Sequence, residues 1–402
     1  MRLFFRPHSP LGQPASSPCL RGVILSTRQK STQSEGNVGL ENTKKRIEYL
    51  DGHRGLALLL VVFFHAYVRW PKLVPYGNDY ASFPFFRYGW LGVELFFLIS
   101  GFVILMTLEK CSTAKDFLYR RWLRLFPAML ICSTLVFLTS ALFFERPAGI
   151  PGWENLLPGL TFIEPHWWAA VLGRPVTALE GSFWSLFVEF KFYVFAAIVY
   201  YWRGRNALVY SLILAFAIAT ALKISEEILG LHNPALLNAI SFNLSFRYFG
   251  WFASGAAFYI FAQNKSSRWF AAACVMAIAS ATIEGDFDWH RALAGSMISM
   301  FFAASITVDA IKKVLSNRFI QFFGVVSYPL YLIHENMMVS IIIKLGRDAE
   351  QIPMLLLPLP AIVVLSGVAF LISKYGEPLV KSMLLRALPN KKNPLKVANH
   401  SG

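Results

Sequence analysis

The chain has 402 residues, of which 55% are hydrophobic and 15% charged, with a net charge of +15. That composition argues against a soluble protein, and a basic excess lying mostly between apolar runs reads as membrane topology rather than nucleic-acid binding. The four cysteines, Cys19, Cys111, Cys132 and Cys274, show no paired spacing, so neither a disulfide framework nor a metal site is indicated.

In chain order, residues 1–43 are polar and irregular, rich in Ser, Gln, Pro and Arg, and lack the apolar core of a secretory signal. A disordered tail is expected there. An organellar presequence, or a translation start misassigned upstream of the true one, are the alternatives, the next methionine being Met106. Ten apolar runs follow, near 54–70, 88–108, 125–144, 182–202, 207–223, 246–262, 268–283, 291–308, 322–343 and 354–373. Many reach the roughly 20 residues that cross a hydrocarbon core about 30 Å thick. The expected fold class is an all-α integral membrane protein, a polytopic bundle of about ten transmembrane helices. The expected division is a tail over 1–43, a membrane domain over 44–380 and a basic cytoplasmic tail over 381–402.

The connections set the orientation. Lys44, Lys45 and Arg46 precede the first run, and Lys110, Lys115, Arg120, Arg121 and Arg124 follow the second. Arg203 and Arg205, Lys265 and Arg268, then Lys312, Lys313 and Arg318 fall on the same side, as do Lys381, Arg386, Lys391, Lys392 and Lys396. The other side carries longer, mixed loops with Glu284, Asp286 and Asp288. Basic loops face the cytoplasm, so both termini are expected there. The loop near 145–181 then lies outside, and its Trp153, Trp167 and Trp168 form either an interfacial aromatic belt or a platform for a sugar.

Polar residues within the runs are the candidate site. In DGHRGLALLLVVFFHAYVRW, residues 51–70, Arg54 and His65 are eleven positions apart. Eleven residues make about three helical turns, a rise of roughly 16 Å, so the two share nearly one face. With Arg54 at the cytoplasmic boundary, His65 lies near mid-membrane, where an ionisable group normally faces the bundle interior. Burial favours the neutral ring, which can take a proton as a general base; the alternative is a packed histidine bonded to a neighbouring helix. Glu94 and Glu189 lie about 9 and 10 Å below the outer ends of their runs, and His334 about 18 Å above the cytoplasmic side. These depths bring His65, Glu94, Glu189 and His334 into one layer, either a shared polar cavity, which is the preferred reading, or separate pairs that glue helices. In YRRWLRLFP, residues 119–127, Arg121 and Arg124 share a face at the cytoplasmic mouth of the third run. They are either a phosphate site or ordinary positive-inside anchors.

The sequence resembles the acyltransferase-3 family of integral membrane O-acyltransferases over about 46–378. The likeness rests on RIEYLDGHRGLALLLVVFFHA with Arg54 and His65, on GVELFFLISGFVI, and on RRWLRLFP with Arg121, Arg124 and Pro127. FWSLFVEFKFY, with Trp184, Ser185, Leu186 and Glu189, and VSYPLYLIH, ending at His334, complete it. His53, Phe190 and Lys191 depart from the family pattern, and no fused esterase-like domain is expected.

The resemblance implies transfer of an acyl group, most often acetyl from acetyl-CoA, to a hydroxyl of a cell-surface or lipid-linked carbohydrate, in a bacterial inner membrane. On that basis His65, Glu189 and Arg54 are the expected catalytic residues. His65 is the base or the acyl carrier, Glu189 orients it or positions the acceptor, and Arg54 orients the first helix or contacts the donor. Arg120, Arg121 and Arg124 are expected to hold the phosphates of acyl-CoA. Glu94, Ser100, Ser185, Tyr331 and His334 are candidate cavity residues, and Ser100, Ser185 or Tyr331 could donate to an oxyanion. Acyl-CoA is a donor substrate, with no tightly bound cofactor, metal or nucleic acid expected. A proton-coupled transporter using the intramembrane His and Glu residues is the alternative, although no paired broken helices stand out.

Overall fold

The computed structural model describes residues 47–227, 230, 234–348 and 352–387. The expected tail over 1–43, Lys44, Lys45 and Arg46, and Lys391, Lys392 and Lys396 lie outside those residues. Among the described residues the chain is helical and contains no strand. Hydrocarbon offers backbone N–H and C=O groups no water, and a helix pairs all of them within its own segment.

The main helices are α1 (Glu48–Tyr67), α2 (Leu91–Leu108), α3 (Ala114–Thr139), α4 (Trp184–Glu227) and α5 (Phe249–Asn264). They continue as α6 (Ser267–Glu284), α7 (Trp289–Thr307), α8 (Asp309–Leu315), α9 (Arg318–Asp348), α10 (Pro358–Leu371) and α11 (Glu377–Ala387). Five helical stretches are long and apolar enough to cross a membrane: 91–108, 114–143, 181–227, 318–347 and 358–387. A sixth is added if α7 and α8, bent by 108°, are one span. The chain is therefore an integral membrane protein, but by this measure the expected ten spans are not reached. The fourth and fifth expected runs are two helices joined across a kink at Gly204 (φ 81°, ψ −174°), together labelled α4 and counted as the one stretch 181–227; glycine adopts that conformation without a Cβ clash. The first run is diluted by Asp51, His53 and Arg54 inside α1, and α5 has only 16 residues.

Local chemistry moves one boundary that matters for the site. α3 begins at Ala114, eleven residues before the apolar run, because the Asp116 N–H donates to the Thr113 hydroxyl at 3.1 Å. That N-cap satisfies an otherwise orphan donor and starts the helix early. Arg120, Arg121 and Arg124 consequently sit well inside a helix, with Pro127 in its middle.

Close packing needs small residues, since lipid tails give helices no hydrophobic reason to associate. α1 packs along α9 and α2 along α5. A Cβ at Gly55 would lie 2.9 Å from the Gly324 backbone nitrogen, so the α1–α9 crossing is backbone against backbone. Pro329 in α9 removes the hydrogen bond that the Val325 carbonyl would otherwise accept. The Ser373 hydroxyl donates to that carbonyl at 3.4 Å.

The bundle has two chemically different ends. At the basic end, Gln321 donates to the Glu48 carbonyl (2.7 Å), and Arg205 reaches Glu109 (3.4 Å) and Gln263 (3.0 Å). At the mixed end, Lys223 pairs with Asp286 (2.6 Å) and Arg347 with Glu145 (3.1 Å). The connection 144–183 lies at the mixed end and contains two short helices, Leu156–Thr161 and Pro165–Leu172. Asn336 of α9 ties it down, accepting from the Ala148 N–H (3.0 Å) and donating to the Leu179 carbonyl (3.0 Å) and Glu180 (2.8 Å). Trp153 and Trp167 of this connection are exposed, and Trp168 donates to the Thr161 hydroxyl at 3.0 Å.

Candidate active site

The crossing of α1 and α9 places His65 against His334, ring centroids 4.8 Å apart at 82°. His65 Nδ1 lies 2.9 Å from the Val61 carbonyl and His334 Nδ1 lies 2.9 Å from the Tyr331 carbonyl. A carbonyl only accepts, so both Nδ1 atoms carry hydrogen, and in neutral rings both Nε2 atoms are lone pairs. His334 Nε2 stands 3.3 Å from His65 Nδ1 and takes a share of its hydrogen. His65 Nε2 is left facing Glu335 Oε1 at 3.5 Å. The other oxygen of Glu335 accepts from the Ser182 N–H at 2.6 Å, which fixes the carboxyl.

A cavity with about 730 Å³ of empty space, the open solvent at its mouth included, lies beside this cluster, toward the basic end. Arg54, Arg121 and Arg124 line it together with Ser100, Ser185, Glu189, Tyr193 and Tyr331. Glu189 accepts from the hydroxyls of Ser100 and Tyr193, each at 2.5 Å. Ser185 and the Tyr331 hydroxyl are 2.7 Å apart. Arg121 donates to the Thr107 hydroxyl at 2.6 Å, which leaves part of its guanidinium for a ligand. Tyr331 links cavity and histidines: its hydroxyl lines the cavity and its carbonyl holds His334.

The single layer expected for His65, Glu94, Glu189 and His334 is divided among three places. His65 and His334 touch, whereas Glu189 lies in the cavity and makes no hydrogen bond to His65. Glu94 lines a second cleft at the mixed end with Trp90, Trp184 and Glu284. Depth along a span is legible in sequence, but the azimuth at which each helix presents its side chain is not. Arg54 points into the basic-end cavity and lies 3.4 Å from Asp51. Arg120 does not line that cavity; its side chain is 55% exposed and pairs with Asp116 at 2.9 Å. Being adjacent to Arg121, it is turned about 100° around the helix, onto another face.

Sequence reading did not single out Glu335, Asn336, Glu180 or Tyr193. Glu335 and Asn336 directly follow His334 in LIHEN, and three consecutive polar residues in a membrane run were the available signal. Glu180 is fully buried, accepts from the Asn336 N–H and amide at 2.8 Å each, and keeps one oxygen without a partner. Its burial, opposed by Arg146 and reinforced by Glu335, pushes its carboxyl up to about 8. Among the described residues no group of His, Cys, Asp and Glu could hold a metal ion.

The sequence model of the acyltransferase-3 family, described as an acyltransferase domain, matches residues 47–374. A protein of Acidianus two-tailed virus named as an acetyltransferase is 25% identical over 328 residues, 78% of this chain and 87% of that one. A protein of Staphylococcus aureus (strain COL) named as an O-acetyltransferase is 28% identical over 171 residues, 39% of this chain and 25% of that one. The peptidoglycan O-acetyltransferase OatA of Listeria monocytogenes is 26% identical over 166 residues, 38% of this chain and 24% of that one. The match to the last two thus spans about a quarter of their length. No solved structure matches.

Proposed function

The chain belongs to the acyltransferase-3 family of membrane O-acyltransferases, and on that premise we propose that it moves an acetyl group from acetyl-CoA to a carbohydrate hydroxyl. The donor approaches from the basic end, taken as cytoplasmic by the positive-inside rule. The acceptor approaches from the mixed end. The membrane is the bacterial inner membrane, with both termini in the cytoplasm.

The observation that carries this reading is the basic-end cavity. It joins three arginines, Arg54, Arg121 and Arg124, to a deeper polar wall of Ser185, Glu189 and Tyr331. Arginine forks match phosphate oxygens, so Arg121 and Arg124 hold the phosphates of the donor and its flexible arm runs inward. Arg54 faces the same volume, and Glu189 keeps Ser100 and Tyr193 in place there.

In the chemical step His65 Nε2 accepts the acceptor's hydroxyl proton, and the oxygen attacks the thioester carbonyl. A C–O bond forms, the C–S bond breaks, and the CoA thiolate leaves with the proton that His65 took. Glu335 stabilises the imidazolium in between, and Ser185 or Tyr331 supplies a donor to the oxyanion. An acyl group carried on His65 is the covalent version of the same arrangement.

The test is transfer of labelled acetyl from acetyl-CoA to glycan by the purified protein in nanodiscs. Free CoA and O-acetylated sugar are expected in equal amounts. Proton-coupled solute flux without acetyl transfer would overturn the reading.

A further inference from the structure

The second cleft, at the mixed end, has about 1010 Å³ of empty space and draws its walls from six segments of the chain. Its aromatic surface is Tyr88, Trp90, Trp184 and Tyr248. Flat rings with a polar edge offer apolar faces to the C–H side of a sugar. Phe64, the residue before His65 in α1, lines it as well.

Its charges are unevenly matched. Arg291 is answered by Asp286 (3.5 Å) and Asp288 (3.9 Å). Arg87 and Arg247 form no ion pair among the described residues: Arg87 lies 5.7 Å over the Tyr88 ring, and Arg247 lies 5.2 Å over Phe242 and 5.1 Å over Tyr248. Glu94 is only 5% exposed, and its Oε2 has no hydrogen-bond partner. Its carboxyl faces that of Glu284 within hydrogen-bonding reach. Two touching carboxyls hold one proton between them and count as one negative charge rather than two. Arg87 and Arg247 then share the one negative charge of the Glu94–Glu284 pair, on which Arg247 acts, and this leaves the cleft electropositive around Arg247.

We propose that this cleft is the acceptor subsite and that it selects a saccharide bearing an anionic group, a carboxylate or a phosphate, bound by Arg247. A neutral sugar would leave the excess positive charge of the cleft unanswered. An anionic one gives it a charge-assisted pair while the aromatic wall holds the ring beside it. The proposal rests on the carbohydrate-acceptor reading above. A lipid headgroup is the other source of the same anion.

The experiment uses the full chain in phosphatidylcholine nanodiscs without donor. It is titrated calorimetrically with an oligosaccharide of glucuronic acid, its carboxyl-reduced counterpart, glucose 6-phosphate and glucose. At least one anionic probe is expected to bind about tenfold or more tighter than its neutral partner, a preference that salt erodes. Arg247→Gln removes the preference, Arg247→Lys keeps part of it, and Arg268→Gln at the basic end leaves it intact. Equal affinity for anionic and neutral probes overturns the proposal, as does a preference that survives in Arg247→Gln. Arg247-dependent binding of phosphatidylglycerol alone, with no sugar preference, overturns it too. Because the readout needs no turnover, a protein that bound the anionic sugar and transferred no acetyl group would sink the donor reading and not this one.

Discussion

His65 Nε2 stands 3.5 Å from Glu335 Oε1, with the ring's other nitrogen held 2.9 Å from the Val61 carbonyl. The ring is thereby fixed in one tautomer, and the nitrogen left to take a proton is the one that faces a carboxyl. A helix on its own cannot make this arrangement. It requires α9 to cross α1 at the glycines that let their backbones meet.

Replacing His65 removes the proposed base. His65→Ala is expected to lower acetyl transfer by at least 10²–10⁴-fold, the usual worth of a general base, with the donor still bound. Labelled acetyl-CoA and size exclusion on the purified variant measure both. A folded His65→Ala protein with full activity would remove the proposed mechanism.

Glu335 acts through His65, so its variant should change the chemistry more than donor binding. Glu335→Gln keeps an acceptor for the Ser182 N–H but loses the charge that stabilises the imidazolium. The expected result is a fall in kcat of about tenfold or more with KM for acetyl-CoA little changed, and a shifted pH profile of kcat. A change confined to KM would assign Glu335 to binding instead.

The arginines separate by where they point. Arg124→Ala, inside the basic-end cavity, should raise KM for acetyl-CoA about tenfold or more. Arg120→Ala should stay within about twofold, because an exposed ion pair such as Arg120–Asp116 contributes little. Equal effects of the two substitutions in donor kinetics would mean that the cavity is not where the phosphates sit.

Glu180 predicts how stability depends on pH. Its carboxyl goes from an ordinary value of 4.5 to about 8 through burial, so the folded state holds a proton that the unfolded state releases earlier. The stabilisation is complete below about 4.5, declines between there and about 8, and is gone above it. The thermal midpoint of the protein should fall across that window. Glu180→Gln, which mimics the neutral carboxyl, should flatten the decline; an unchanged slope would show that another group titrates.

The sequence by itself determined the membrane class, the family and the identity of the polar residues within the spans. Apolar run length and charge placement are properties of consecutive residues and need no tertiary contact to be read. The Arg54–His65 spacing and the RRWLRLFP stretch were legible for the same reason. Only the tertiary structure decided which polar residues meet. Glu189 turns into the basic-end cavity, Glu94 turns toward Glu284, and Glu335, unremarked in the run that holds His334, faces His65. Those pairings depend on helix azimuth and on which backbones can approach closely. Both are set by packing between segments far apart in the chain, which no local pattern encodes.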